Sequence, residues 1–89
     1  MADYPIPLIH RQDYDAFRRL MGADLPHTYD EWLKLHGEYG TGLLKQGHNT
    51  KQIEVHLDEF SRFCRSRNVN ANRKTLLDFA IEKAAGKNY

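Results

Sequence analysis

The spacing of apolar side chains changes near His56, and this change constrains the fold more than any other feature of the chain. Up to Leu57, apolar and polar residues alternate, which is typical of a half-buried β-strand. Beyond it, apolar residues recur every three or four positions, which is typical of an amphipathic helix. The alternating residues are Ile53, Val55 and Leu57, and the helical ones begin with Phe60, Phe63 and Cys64. The pattern therefore predicts a strand near Gln52–His56 and a helix at Asp58–Arg67.

A second helix is predicted after a short turn. Asn68 suits the left-handed position that follows a helix, and Val69 can then pack back on that helix. Asn70 or Asn72 can cap the next helix, because a short side-chain oxygen accepts hydrogen bonds from free backbone N–H groups. We predict that this helix spans Asn72–Ala85, since a glycine follows. Its predicted apolar face consists of Leu76, Leu77, Ala80, Ile81 and Ala84, widened by Phe79.

The preceding half of the chain predicts a similar plan. An extended segment at Pro5–Ile9 precedes two helices, at Asp13–Met21 and at Thr28–Tyr39 or further. Thr28 and Glu31 form a capping-box pattern, which is typical of a helix start. Each of three later glycines costs about 1 kcal/mol relative to alanine inside a helix. The second helix therefore either frays before these glycines or continues only because tertiary packing holds it. The glycines are Gly37, Gly40 and Gly42, and the apolar face of the first helix is Tyr14, Phe17, Leu20 and Met21.

These elements together predict a mainly α fold. We expect one domain over residues 1–89, with four helices and either one short strand or a small two-stranded ribbon. Residues 1–4 and 87–89 are expected to be loose. Residues 45–51 are expected to connect the two helical halves.

The two halves also resemble each other in their apolar spacing. Tyr14 matches Phe60 at an offset of 46 positions, and Ile6 matches Ile53 at an offset of 47. The spacing leaves open whether the chain is a strand–helix–helix pseudo-repeat. If it is, its two short strands are placed to pair with each other.

Length and composition narrow the class of protein. A chain of 89 residues buries roughly 60–65% of its unfolded surface, so its core is modest. Its single cysteine excludes an internal disulfide. The sequence has no run of about 18 apolar residues and no basic start followed by an apolar stretch, so we expect a cytoplasmic protein without membrane contact.

The net charge of +1 conceals −3 in residues 1–44 and +4 in residues 45–89. This asymmetry is either a solvated surface or a basic face for an acidic partner.

Residues that could catalyse a reaction or bind a metal are scattered along the chain. The histidines are His10, His27, His36, His48 and His56. No two of them are four positions apart, whereas a zinc site needs about four convergent ligands. Cys64 lies on the apolar face of its predicted helix, where a thiol is mostly inert. We therefore predict a protein that is not an enzyme, with no catalytic, cofactor-binding or metal-binding residues. Catalysis through Cys64 is kept as an alternative to be tested.

The segments KQIEVHLDEF and NRKTLLDFAIEKA resemble the ribbon–helix–helix family of DNA-binding proteins. In that family a strand pairs with its dimer mate and enters the major groove, and the start of the second helix binds a phosphate. The resemblance implies that Gln52, Glu54 and His56 would face the bases and that Asn72, Arg73 and Lys74 would lie at the phosphate. The segment covers about 35 residues. The interval between strand and second helix is about one turn shorter than in the family.

The leading functional hypothesis is a different one. We expect a small non-catalytic protein of the cytoplasm that acts as an interaction or regulatory module, as a monomer or homodimer with an unknown protein partner. Aromatic side chains with arginine are enriched at the centres of interfaces. The aromatic candidates are Tyr14, Tyr29, Trp32, Tyr39 and Tyr89. A tryptophan at helical spacing is more often part of the core, and we expect that of Trp32. The ribbon–helix–helix-like DNA-binding regulator is the alternative.

Overall fold

The structure is a computed structural model that describes residues 3–87. Met1, Ala2, Asn88 and Tyr89 lie outside the described residues, so the predictions for them are not addressed. Tyr4 was expected to be loose, but it begins the first strand and donates its N–H to the Asn49 carbonyl at 2.7 Å. The two strands are β1 (Tyr4–Leu8) and β2 (Thr50–Glu54). The four helices are α1 (Tyr14–Met21), α2 (Tyr29–Lys45), α3 (Leu57–Arg67) and α4 (Arg73–Ala84). Short 3₁₀ turns at Arg11–Asp13 and Gly22–Asp24 flank α1.

The predicted mainly α fold with a small two-stranded ribbon is confirmed. The two strands pair in parallel, with Tyr4 opposite Thr50 and Leu8 opposite Glu54. A parallel pair needs a long crossover connection, which α1 and α2 provide. The element order is strand–helix–helix in each half of the chain. The pairing register has an offset of 46 residues, so Ile53 lies opposite Pro7 and not opposite Ile6, its suggested counterpart in the repeat.

The strand begins and ends two residues earlier than predicted, at Thr50–Glu54 instead of Gln52–His56. The alternation that predicted the strand continues into the start of α3. His56 is the extended N-cap of that helix, and Leu57 is its first residue. Val55 still donates its N–H to the Leu8 carbonyl at 3.1 Å, so extended backbone continues past the last paired residue.

Side-chain caps begin two of the helices as predicted. Thr28 Oγ1 accepts a hydrogen bond from the Glu31 N–H at 3.1 Å. Of the two asparagines proposed as caps for α4, Asn72 takes the role, and its side chain accepts from the Thr75 N–H at 2.9 Å. Thr75 Oγ1 accepts in return from the Asn72 N–H at 2.9 Å, which completes a capping box. These bonds satisfy N–H groups that a helix start otherwise leaves without partners.

Three helices end in the same backbone motif. Asn68, with φ 53°, follows α3 in the left-handed conformation that was predicted for it. Val69 then donates its N–H to the Cys64 carbonyl at 3.0 Å, which is the long bond of a Schellman motif. Gly47 and Gly86, with φ 87° and 92°, take the same position after α2 and α4. Glycine suits these sites because a positive φ carries no steric penalty without a Cβ atom.

Helix α2 continues through its glycines to Lys45, as one of the two alternatives allowed. Of its 17 residues only Trp32 and Leu43 are buried. These two contacts lie on either side of the glycines, so packing near both ends holds the middle in a helix. Gly40 passes near the sheet, and a Cβ atom there would lie 3.9 Å from Ile6 Cδ1.

The main core is aromatic. Phe17, Phe60 and Phe79 are fully buried, and the Phe79 ring lies 5.7 Å from Phe60 and 5.4 Å from Phe63. The rest of this core consists of Ile9, Tyr14, Met21, Leu25, Trp32, Val55, Cys64 and Leu76. Trp32 is thus a core residue, as expected.

Three residues assigned to apolar helix faces are exposed, so these assignments are wrong. Leu20 and Ile81 are each 42% exposed, and Ala84 at the end of α4 is also exposed. The helix faces are narrower than the spacing suggested, because α1 buries Tyr14, Phe17 and Met21 while α4 buries Leu76, Phe79 and Ala80. Thr75 takes part of the buried face of α4, and its hydroxyl is satisfied by donating to the Asn70 carbonyl at 2.8 Å.

Candidate functional site

An apolar groove lies between α2 and the first turns of α4, and we call it the α2–α4 groove. Its volume is about 350 Å³. Strand β1, the connector between α1 and α2, and the two helices supply its lining, which consists of Ile6, Pro7, Leu25, Pro26, Trp32, Leu35, His36, Tyr39, Arg73, Lys74, Leu76 and Leu77. Ile6, Leu25 and Leu76 are almost fully buried and form its base. The groove has the size and the apolar lining typical of sites that bind a small group.

The wall formed by α2 combines a fixed and an exposed part. The Trp32 ring stacks on the His36 ring at a centroid distance of 4.7 Å, and His36 Nε2 donates to Gln52 Oε1 at 3.0 Å. These contacts tie the middle of α2 to β2. Leu35 and Tyr39, in contrast, are each 43% exposed. A ligand in the groove would therefore cover apolar surface that water now contacts.

The opposite wall carries positive charge. Arg73 and Lys74 line the groove at the start of α4, and among the described residues no Asp or Glu lines it. Lys74 Nζ pairs with Asp78 at 3.0 Å. Within residues 3–87, the Arg73 guanidinium makes no hydrogen bond or ion pair. The Arg73 backbone N–H is already used, because it donates to Asp24 Oδ2 at 2.9 Å.

The one titratable hydroxyl in the groove stays protonated. Burial raises the pKa of the Tyr39 phenol above its usual value, and the nearby Tyr4 raises it further. Tyr39 is therefore a neutral hydrogen-bond donor at physiological pH.

The residues implied by the ribbon–helix–helix resemblance fall into two groups. Asn72, Arg73 and Lys74 lie together at the start of α4, where the Asn72 side chain caps the helix. Gln52 is joined through His36 to the groove that Arg73 and Lys74 also line. The structure thus brings these four residues together. Most of the hydrogen bonds they form are to other residues of the same chain.

Glu54 and His56 form a separate pair around His10. Glu54 Oε2 lies 3.7 Å from His10 Nε2, and the His56 ring stacks on His10 at 6.4 Å. The Glu54 carbonyl accepts from Lys83 Nζ at 2.8 Å. Strand β2 pairs in parallel with β1 of the same chain, whereas the family pairs this strand with its dimer mate. The strand side chains are therefore engaged in contacts inside the domain.

Cys64 has the environment of a core residue. It is 7% exposed, and burial raises the pKa of its thiol, although a hydrogen bond with Thr75 opposes the effect. Within residues 3–87, no group of three or more His, Cys, Asp or Glu side chains is arranged to hold a metal ion. No helix in this part of the chain is long and apolar enough to cross a membrane.

Sequence reasoning missed the groove as a site. It singled out Trp32 and Tyr39 as aromatic candidates and Arg73 and Lys74 as phosphate contacts, but for unrelated reasons. Leu35 was overlooked, although it is three positions after Trp32 and four before Tyr39. This spacing, which places it on the same side of α2, was the available signal.

Comparison with known proteins gave no match for this chain. No family model matches the chain, and neither the curated proteins nor the solved structures include a significant match. The resemblance to the ribbon–helix–helix family therefore depends on the strand and helix pattern alone.

Proposed function

We propose that the protein is a non-catalytic interaction module that binds an apolar segment of a partner protein in the α2–α4 groove. The observation that carries the proposal is the exposure of Leu35 and Tyr39, each 43% exposed, beside a buried apolar base. Exposed apolar surface that is concave and contiguous is typical of binding sites, whereas single exposed apolar residues are not. The proposal includes a cytoplasmic location, which suits a chain with a single cysteine.

The size of the groove indicates a weak and reversible interaction. A volume of about 350 Å³ is at the low end for ligand sites and holds one or two large side chains. Fully burying one such side chain contributes about 1.5–3 kcal/mol, whereas micromolar affinity requires about 8 kcal/mol. Contacts along the rim must supply the difference, so we expect dissociation constants of micromolar order or weaker.

A random-peptide display selection on the immobilised protein tests the proposal. Leu35→Gln makes a groove residue polar, and Leu33→Gln makes the same change outside the groove at a similarly exposed position of α2. We expect peptides to be enriched on the wild type and on Leu33→Gln. Enrichment should fall about tenfold on Leu35→Gln, because the buried apolar contact is lost. Equal enrichment on all three surfaces, or none on the wild type, would refute the proposal.

DNA binding stays a separate prediction, with Gln52, Glu54 and His56 as base contacts. A mobility-shift titration on mixed-sequence DNA at low salt distinguishes the two functions. The interaction module predicts no shift. A shift that weakens steeply with salt and is lost in Arg73→Gln would favour DNA binding, because phosphate contacts depend strongly on salt.

A further inference from the structure

We propose that the α2–α4 groove selects acidic peptides, with an apolar side chain in the groove and a neighbouring carboxylate paired with Arg73. This inference rests on the proposed function and names the chemistry of the partner. It follows from the charges along the groove and from which donors are already in use.

The charge of the groove is positive and only partly offset. Among the described residues that line it, Arg73 and Lys74 are the arginine and lysine, and none is Asp or Glu. Lys74 pairs with Asp78 at 3.0 Å, and the Asp24 carboxylate accepts the Arg73 backbone N–H. The Arg73 guanidinium has no ion pair within residues 3–87. A basic segment would therefore be repelled by Arg73, and an uncharged segment would leave this guanidinium without a carboxylate.

The donor assigned to the carboxylate is the Arg73 side chain. Two N–H groups at the start of α4 are already used, because Asp24 Oδ2 accepts from Arg73 at 2.9 Å and Asn72 accepts from Thr75 at the same distance. The guanidinium is exposed, has several N–H donors, and matches a carboxylate in a two-bond geometry.

The apolar part of the ligand follows from the opposite wall. Leu35 and Tyr39 present exposed apolar surface facing the base formed by Ile6, Leu25 and Leu76. The Tyr39 hydroxyl is a neutral donor and can add a hydrogen bond to a carbonyl or carboxylate of the segment. The occupant that satisfies both walls is a short segment with a large apolar residue close to Asp or Glu.

Two synthetic peptides provide the test. The first is the most enriched peptide from the display selection, and the second has each of its carboxylates replaced by the matching amide. Dissociation constants are measured for the wild type, Arg73→Gln and the control Arg65→Gln. Arg65→Gln removes the same charge from an exposed residue of α3 that does not line the groove. Circular dichroism confirms that each variant is folded.

The expected result is a coupling between the peptide's carboxylate and Arg73. We expect the amide peptide to bind the wild type about fivefold to tenfold more weakly than the acidic peptide. Arg73→Gln should weaken the acidic peptide by the same factor and leave the amide peptide unchanged. Arg65→Gln should change neither beyond about twofold, because it tests net charge alone.

Failures of the two proposals differ. If enriched peptides carry no excess of Asp and Glu over the library, or if Arg73→Gln behaves like Arg65→Gln, the acidic preference is wrong while the groove proposal stands. If no peptide is enriched on the wild type, or Leu35→Gln has no effect on enrichment, both are wrong.

Discussion

Helices α2 and α4 differ in how they are attached to the protein, although they face each other across the groove. Helix α4 buries four of its 12 residues, and α2 buries two of its 17. Helix α2 also leaves four large apolar side chains exposed: Leu33, Leu35, Tyr39 and Leu44. The longer helix is therefore the one with the weaker connection to the core.

Hydrogen bonds fix both ends of α2. Tyr29 Oη donates to the Ile9 carbonyl at 2.7 Å, and the Thr28 cap begins the helix just before it. Gly47 and the bond from His48 N–H to the Leu43 carbonyl end it. Between these ends, Leu35 and Tyr39 are each 43% exposed, and this is the surface that the proposed partner would cover.

Removing the centre of the α4 contact should have the largest effect on stability. Phe79→Ala deletes a fully buried ring, and we expect it to lower the free energy of unfolding by about 3–5 kcal/mol. Tyr39→Ala at the middle of α2 should lower it by less than about 1 kcal/mol, because that side chain is 43% exposed. Urea denaturation measures both. Equal losses would show that the two helices are equally anchored.

Removing the helix caps should cause the next largest loss of stability. Asn72→Ala removes the side-chain half of a capping box in which Thr75 takes part, and should cost about 1–2 kcal/mol. Thr28→Ala should cost about 0.5–1 kcal/mol, because the two hydrogen bonds of its hydroxyl, both with Glu31, lie at a more exposed helix start. Asn70→Ala is the control, with an expected change below about 0.5 kcal/mol. A larger loss at Thr28 than at Asn72 would contradict this order.

Replacing glycines of α2 by alanine should change the free energy of unfolding by a smaller amount, and should raise it. Gly37→Ala and Gly42→Ala should each raise the free energy of unfolding by about 0.5–1 kcal/mol, since an added Cβ atom meets nothing within 4 Å. Gly47→Ala is the matched control and should destabilise the protein, because φ is 87° there. A loss of stability at Gly37 would show that packing, and not helix propensity, limits α2.

Near neutral pH, a change of pH should affect the free energy of unfolding less than any of the substitutions above. Burial raises the pKa of Cys64 beside α4 and of Tyr14, whose hydroxyl donates to the Pro26 carbonyl at 2.7 Å. Each folded pKa is above its unfolded value, so the contribution is complete below the unfolded pKa and is lost as pH rises through the folded one. Urea midpoints should fall from about pH 9 upward for Cys64 and from about pH 10 for Tyr14.

Two variants show which residue causes each part of the fall in urea midpoint. Cys64→Ala should remove the part of the decline that begins at lower pH, and Tyr14→Phe the part that begins at higher pH. The baseline stability of each variant is measured at pH 7. A stability that rises between pH 9 and pH 10.5 would contradict the predicted sign.

Local signals in the sequence were sufficient for the helices. Thr28, Asn68 and Asn72 each act through bonds to backbone groups within five residues, so their roles could be predicted without the tertiary structure. The strand was placed two residues late because His56 and Leu57 continue the alternation although they belong to the start of α3. Period alone does not distinguish the last residue of a strand from a helix cap.

The candidate site depends on contacts between distant parts of the chain. Arg73 lines the groove because Asp24, 49 positions earlier, accepts its N–H. The aromatic and basic residues of the groove were visible separately, but their spacing in sequence carries no information about a shared cavity. Leu20 and Ile81 show the same limit, since helical spacing predicts a face but not how much of that face a neighbour covers.

Four helices, two extended segments and the residues that begin and end most of them were determined by the sequence alone, because caps, left-handed stops and apolar periods act over a few residues. Only the tertiary structure decided the parallel pairing of β1 with β2, the passage of α2 through its glycines, and the groove between α2 and α4. These depend on how much surface distant segments bury against each other, and that free energy appears only when the whole chain has folded.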